Sequence, residues 1–254
     1  MRSWTRPDGR CFVFGEPDGG GLPPGRVYAT ADEEDEPRMR ALTELGFAVL
    51  RRELVLQLPT DRAAWTLRTV DPPPGIVFVP ADRVPEERLR ALDDLLRQDV
   101  PGTDGWRWSS EGFREETYES SDFDPATYLV ALDERGEGIG IARVWMRPEQ
   151  PRLGLIGVRS DWRRRGVARA LLAAALGTLR ERGLAEVRTE VDEANAASRE
   201  LLLAFGARVV GASLELVREA TRRSAEASAQ PARREPAAST KVRAPADRPD
   251  SRGA

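Results

Sequence analysis

The residues best equipped for chemistry lie in the stretch LGLIGVRSDWRRRGVARALL, residues 153–172. An apolar run over 153–158 reads as a buried strand and leads into a turn. From Gly166 the apolar spacing becomes that of an amphipathic helix. The turn carries Arg163-x-x-Gly166-x-Ala168. Glycine and alanine there leave the backbone open to close approach by a ligand. The first-turn amides of the helix, around Val167 and Ala168, have no intrahelical acceptor, and the positive end of the helix dipole points the same way. Such a terminus binds phosphate without metal or histidine. Arg163, Arg164, Arg165 and Arg169 add charge-assisted contacts. The Gly-Lys-Ser/Thr of nucleotide-binding loops is absent, as is the third glycine of a dinucleotide fingerprint.

Composition narrows the remaining chemistry. The chain has 254 residues, a formal charge of −3, no histidine and one cysteine, Cys11. Serine–histidine and cysteine–histidine nucleophile pairs are therefore excluded, as are zinc sites of His and Cys and any intramolecular disulfide; no metal is expected. Carboxylates, three tyrosines, backbone amides and arginine are what is left. With no apolar run of 18 residues and a polar N-terminus over 1–20, no membrane partner or signal segment is expected, and the expected location is the cytoplasm. Lys241 is the only lysine among 39 basic residues, which reads as codon usage.

The elements that must position this turn follow from the patterning. Asp71-Pro72-Pro73-Pro74-Gly75 is a stiff connector, so residues 60–75 are taken as a linker between an N-terminal unit (1–59) and a main domain (76–218). In that domain, strands are predicted at 76–80, 128–132, 138–145, 152–158, 186–191 and 207–217. Helices are predicted at 85–98, 111–119, 166–181 and 198–205, the first with Leu89, Leu92, Leu95 and Leu96 on its buried face. The fold class expected is α/β (α+β), with a mixed, mostly antiparallel sheet flanked by helices. Residues 219–254 are poor in large apolar residues and predicted to be a disordered tail.

Residues 27–58 align without gaps onto 187–218 at an offset of 160, with eight identities, among them Asp32/Asp192, Leu42/Leu202, Gly46/Gly206 and Leu54/Leu214. A strand–helix–glycine–strand pattern repeated in this way predicts a duplicated unit. The N-terminal copy has a Gly/Pro loop, Gly15–Gly25, where the first copy of the Arg-x-x-Gly turn would stand, and Asp35 where the second copy has Asn195. It is expected to be non-catalytic and to pack beside the main domain.

The stretch from Val158 to Ala168 resembles the phosphate-binding motif of the GCN5-related N-acetyltransferases, a strand followed by V-x-x-x-[YFW]-R-x-x-G-x-[GA] and a helix. Asn195 stands 32 residues after Arg163, and Phe205-Gly206-Ala207 matches the helix end that the family places after it. The resemblance covers about residues 76–218 and implies the tandem form of the fold with a truncated, degenerate first copy. It implies that the loop amides from Gly166 to Ala168, with the arginines and Asn195, hold acetyl-coenzyme A. It further implies that the main chain of Ile156, Gly157 and Val158 holds the pantetheine arm and acetyl carbonyl, and that the acetyl group passes to an amine. Family members often place a tyrosine seven residues after the asparagine as acid for the departing thiolate; here that residue is Leu202. The role is then vacant or filled by Tyr118 or Tyr128.

A thiolate leaving group with a pKa near ~8.5 can depart without an acid, whereas an amine near ~10 must lose a proton. Glu190 and Asp192 are the carboxylates on the strand flanking the expected cleft, and Glu190 is the candidate base. Residues 82–124 carry a local charge of −7 and residues 159–169 one of +4. In the implied geometry the acidic part, with Asp99, Asp104, Trp106 and Trp108, borders the acceptor entrance and suits a small cationic amine. A protein amino group, or a non-catalytic coenzyme A-binding module, are the alternatives. The chain is expected to act as a monomer or homodimer, without a nucleic-acid partner.

Overall fold

The computed structural model describes residues 1–6, 8–15, 21–67 and 70–219. Its frame is one sheet of ten strands: β1 (Arg2–Thr5), β2 (Cys11–Phe14), β3 (Val27–Asp32), β4 (Ala48–Pro59), β5 (Val77–Pro80), β6 (Tyr128–Leu132), β7 (Gly138–Trp145), β8 (Arg152–Val158), β9 (Glu186–Asp192) and β10 (Arg208–Arg218). Five α-helices accompany it: α1 (Glu36–Glu44), α2 (Glu86–Arg97), α3 (Ser110–Thr117), α4 (Val167–Glu181) and α5 (Ala196–Ala204). The spatial order is β1-β2-β3-β10-β4-β9-β8-β7-β6-β5, and among these pairs only β2/β3 and β8/β9 run parallel. The predicted mixed, mostly antiparallel sheet is what forms, with strands β6, β7 and β8 at the predicted boundaries. The predicted tail at 219–254 lies almost wholly outside the described residues.

Alternation sorts the core into two faces. Tyr128, Val130, Ile141 and Leu155 meet Leu89, Leu92 and Leu96 of α2 and Phe113 of α3. Leu129, Ala131 and Leu153 meet Leu171, Leu172 and Leu176 of α4, together with Leu202 and Phe205 around α5. Leu95, expected on the buried face of α2, is 51% exposed, because that face is already filled by the other three leucines and Leu95 points off it. Leu153 and Leu155 would share a face in a regular strand. They do not, because the register with β7 shifts between Arg143/Leu155 and Val144/Leu153, leaving Gly154 as a bulge. A Cβ on Gly154 would lie 1.9 Å from the Trp145 ring, so only glycine fits there.

The 160-residue offset carries through into the sheet pairing, where the two segments interleave. Strand β4 pairs with β9 through Leu54↔Val191, and β10 pairs with β3 through Leu214↔Ala31. Subtracting or adding 160 converts one pair into the other. Between β4 and β10, Leu54↔Ala212 and Arg52↔Leu214 are exchanged by the same offset, and Glu53 faces its own equivalent, Ser213. The sheet thus has a pseudo-two-fold axis between Glu53 and Ser213. Each copy's last strand inserts beside the other copy's first strand, so Leu202 of α5 joins Leu54 and Leu56, while Leu42 of α1 joins Leu214 and Leu216. Arg52 clasps the equivalent glutamates Glu33, at 2.7 Å, and Glu193, at 2.8 Å. The expectation that the N-terminal copy packs beside the main domain is corrected here: a strand of β-propensity flanked by unsatisfied β9 and β10 edges is hydrogen-bonded into the middle of the sheet.

The helix ends repeat too. The Phe47 amide donates to the Leu42 carbonyl (3.0 Å) and the Ala207 amide to the Leu202 carbonyl (3.1 Å), with Gly46 at φ 84° and Gly206 at φ 76°. Their surroundings differ. A Cβ on Gly206 would come within 2.5 Å of the Ala64 carbonyl oxygen, whereas at Gly46 the nearest atom is the flexible Arg218 side chain at 3.8 Å. Gly46→Ala should therefore cost about the left-handed penalty alone, roughly 1–2 kcal/mol. Gly206→Ala should cost clearly more in the same urea titration, and equal losses would contradict this packing.

Candidate functional site

Strands β8 and β9 pair only at Arg152↔Arg188 and Leu153↔Thr189, then part. Beyond Leu153, β8 still pairs with β7 on one edge, through Ala142↔Ile156, Ile141↔Gly157 and Gly140↔Val158. Among the described residues its other edge has no strand beside it. The gap is a cleft floored by Leu153–Ile156 and Thr189–Asp192, with Asn195, Ser198 and Leu202 of α5 at its side. A ligand with amide groups could complete the interrupted ladder along Ile156, Gly157 and Val158, since exposed strand edges recruit such partners.

The C-terminal end of β8 delivers the chain into the arginine turn. Arg164 sits at φ 59° and Gly166 at φ 89°, so the chain turns tightly before α4 starts at Val167. Asp35, Ser109 and Asn195 cap α1, α3 and α5 with side-chain oxygens, but no side chain caps α4 and its first turn holds no acidic residue. Arg163, Arg164, Arg165 and Arg169 are all exposed around this terminus. Arg165 stacks over Trp162 at 4.8 Å. Arg163 donates through Nε to the Val158 carbonyl (3.1 Å) and through its terminal nitrogen to Asp99. The expected anion-binding residues are therefore gathered at one uncapped helix start, at the mouth of the cleft. Asn195 accepts the Ser198 amide at 3.2 Å while lining the cleft, as Asp35 accepts that of Arg38 at 3.1 Å in the other copy.

At its other end the cleft opens into a cavity of about 330 Å³ on the sheet face that carries α2 and α3. Trp145, Arg152, Gly154 and Glu190 form the wall nearest the cleft, and Pro101–Thr103, Trp106 and Trp108 form the loop above. Much of the remainder comes from the N-terminal half: Thr30 of β3, Arg51 and Glu53 of β4, and Trp4, Arg6, Asp8 and Arg10 of the β1–β2 hairpin. Glu215 of β10, buried between Leu214 and Leu216, is bound by Arg51 at 2.9 Å and Arg10 at 3.3 Å. Arg6 stacks on Phe12 at 3.9 Å, and burial holds its guanidinium below the usual arginine range.

The loop over the cavity is fixed from three directions. Asp93, fully buried on α2, accepts the Trp108 indole N–H (2.7 Å) and the Tyr128 hydroxyl (3.2 Å), while Asp94 accepts the Trp108 amide (2.8 Å). Arg51 donates to the Pro101 carbonyl at 2.7 Å, reaching across from β4. Asp99 holds Arg163 of the arginine turn. Of the four residues expected at the entrance, Trp106 and Trp108 line the cavity, whereas Asp99 and Asp104 lie on the same stretch of chain without lining it.

The catalytic candidates fare differently. Glu190 does line both cleft and cavity, but its Oε2 accepts from Arg152 at 2.6 Å and its Oε1 from Arg188 at 3.1 Å. Tyr128 is fully buried against Asp93, and burial raises its hydroxyl well above the usual tyrosine range. Tyr118 packs beside Phe113 and Phe123, its pKa raised by burial and then by Glu86 and Asp82. Neither ring lines the cleft or the cavity, so neither stands in for the tyrosine missing at Leu202. Arg51, Glu53 and Glu215 were not anticipated. Their signal in the sequence is charge placed inside strands that otherwise alternate apolar, Arg51-Arg52-Glu53 in β4 and Glu215 in β10. Among the described residues no cluster of His, Cys, Asp or Glu could hold a metal ion, and no helix is long and apolar enough to cross a membrane.

Residues 89–207 match the acetyltransferase (GNAT) family. A GCN5-related N-acetyltransferase from Sphaerobacter thermophilus shares the fold with a TM-score of 0.65 at 20% identity, over 85% of this chain and 75% of that one. A tandem GNAT protein from the clavulanic acid biosynthesis pathway superposes with a TM-score of 0.57 at 16% identity, over 78% and 65%. A GCN5-related N-acetyltransferase from Kribbella flavida gives 0.51 at 16% identity, over 76% and 68%. No curated protein matches the sequence. A strand pair parted at a bulge, an uncapped basic helix start and the family match coincide on one stretch of chain: residues 89–207 are an acetyltransferase domain of the GNAT family, and acyl transfer is its reaction class.

Proposed function

We propose that this protein transfers the acetyl group of acetyl-coenzyme A to a primary amine on a small, cationic molecule. The observation that carries this reading is the continuity of the cleft with the cavity at Gly154, Glu53 and Glu190. A long donor can lie in the first and a small acceptor in the second, with their reactive groups meeting where β8 bulges. The pyrophosphate would take the amides of Gly166, Val167 and Ala168 and the charges of Arg163, Arg164, Arg165 and Arg169. The pantetheine arm would run along the open edge of Ile156, Gly157 and Val158, past Asn195.

A cavity of about 330 Å³ fits a small acceptor better than an open groove for a protein chain would. Its tryptophans and carboxylates suit an ammonium group. Most of its arginines are already matched by acids, Arg10 by Asp8, Arg51 by Glu215 and Arg152 by Glu190. Holding amine and thioester together supplies much of the acceleration. Departure of the thiolate needs little help, so Leu202 in the acid's place is compatible with turnover. A coenzyme A-binding module without catalysis is the second reading, favoured by that same buried Leu202.

Titration calorimetry with acetyl-coenzyme A tests the shared premise. Gly166→Glu introduces a side chain at φ 89° and a negative charge at the helix start. It should weaken binding at least about a hundredfold, the loss of two charge-assisted contacts at roughly 1.5 kcal/mol each; unchanged affinity would overturn the donor site. Thiol release over a panel of diamines, amino acids and aminosugars then separates enzyme from module, silence across the panel favouring the module.

The Asp99–Arg163 pair gives a second prediction. Both side chains are about half exposed, so the pair is a weak one that donor phosphate must displace. Asp99→Asn should tighten acetyl-coenzyme A binding by roughly 1.5- to 5-fold at low salt. Weaker binding would show that Asp99 supports the turn rather than competing with the donor.

A further inference from the structure

We infer that the proton acceptor for the incoming amine is Glu53, so that the N-terminal copy, which has no anion-binding turn of its own, completes the active site of the other copy. The inference rests on the acyl-transfer reading and deepens it. Among the described residues only two carboxylates line both the donor cleft and the acceptor cavity, Glu53 and Glu190. They stand on neighbouring strands, Glu53 opposite Asp192 and Glu190 opposite Val55, which puts both on the cavity face at the point where β8 leaves β9. Their surroundings differ. Glu190 has a guanidinium hydrogen bond on each oxygen, from Arg152 and Arg188. Glu53 has one ion pair, Oε1 to Arg51 at 3.1 Å, and that guanidinium nitrogen is already hydrogen-bonded to Glu215 at 2.9 Å. Oε2 of Glu53 makes no hydrogen bond with the described residues, and the side chain is 29% exposed, open to the cavity.

Arg51 explains how an acid can be held there without being tied up. Its two terminal nitrogens are committed to the Pro101 carbonyl and Glu215, so it fixes the covering loop and the cavity floor and leaves Glu53 a single shared contact. Glu190 becomes a positioning residue that holds Arg152 in the wall beside Gly154.

The step balances as follows. The acceptor enters as an ammonium ion and gives one proton to Glu53. The amine nitrogen attacks the thioester carbonyl carbon, a C–N bond forms, and the carbonyl π electrons move to oxygen. As the C=O re-forms, the C–S bond breaks and its electron pair leaves on the coenzyme A thiolate, which takes the second nitrogen proton. Glu53 returns its proton to solvent, so the sum is ammonium plus acetyl thioester giving amide, thiol and one proton.

The test uses the full chain with acetyl-coenzyme A and whichever amine of the panel releases thiol fastest. Glu53→Gln keeps the shape and removes the base. Acetyl-coenzyme A affinity and urea stability should stay within about twofold of the parent's. The turnover number at pH 7 should fall about 10²- to 10⁴-fold. Because the variant must wait for free amine, kcat/KM should climb about tenfold per pH unit towards the amine pKa near ~10 and converge on the parent there. Glu190→Gln should lower the rate without imposing that slope. If the parent turns over and Glu53→Gln keeps its pH profile, or loses less than threefold, the assignment to Glu53 is overturned while acyl transfer stands. If the parent binds acetyl-coenzyme A but acetylates nothing in the panel, both fall together.

Discussion

Strand β4 sits between β9 and β10, and most of what the site needs follows from that placement. A twelve-residue strand from the first copy supplies hydrogen bonds to two strands of the second, while β10 returns the exchange by pairing with β3. Separating the copies would strip both edges of β4 and uncover Leu54, Leu56 and Leu58 on the α5 side. Unpaired buried amides and carbonyls are costly, so the two copies form one cooperative body. The exchange also accounts for the charged residues in the middle of the sheet. Arg51, Glu53 and Glu215 project from adjacent strands near the pseudo-two-fold axis, where two odd-numbered rows meet on the cavity face. Desolvated charges of this kind persist only in matched sets, and Glu215 has two guanidinium partners accordingly.

The duplication has diverged where chemistry requires it. Both copies keep the strand, the capped helix, the left-handed glycine and the leucines that fill the exchanged core. Among the described residues only the second has a strand that bulges, at Gly154, and parts from its neighbour, followed by a helix whose start is uncapped and surrounded by arginine. The first copy contributes walls to the cavity beside that cleft. Its hairpin and β4 line the cavity, and Arg51 pins the loop that covers it.

The absence of histidine fits this architecture. Backbone amides, a helix dipole and guanidinium groups stabilise charge without titrating near neutrality. Acyl transfer in general asks for two reacting groups to be held together and a proton to be removed, and neither task requires an imidazole.

Local information was sufficient for the elements and for the arginine turn at the start of α4. Alternation over β6, β7 and β8, the 3.6-residue spacing of α4 and the Arg-x-x-Gly-x-Ala turn are set by residues near one another in sequence, because backbone sterics and burial of one face act within a few residues. The offset of 160 disclosed the duplication by the same means. The order of the strands was decided by tertiary structure. Nothing in the sequence of β4 distinguishes pairing with its own copy from exchange with the other, since equivalent strands offer equivalent edges. Leu95 left the core, Tyr118 and Tyr128 were drawn to the Asp93 side of the sheet, and Glu190 was occupied by two arginines, each through partners distant in sequence. Glu53 came to line the cleft between β8 and β9 in the same way. A strand's face is fixed by its residues, but which neighbour's chemistry that face meets is fixed only when the sheet assembles.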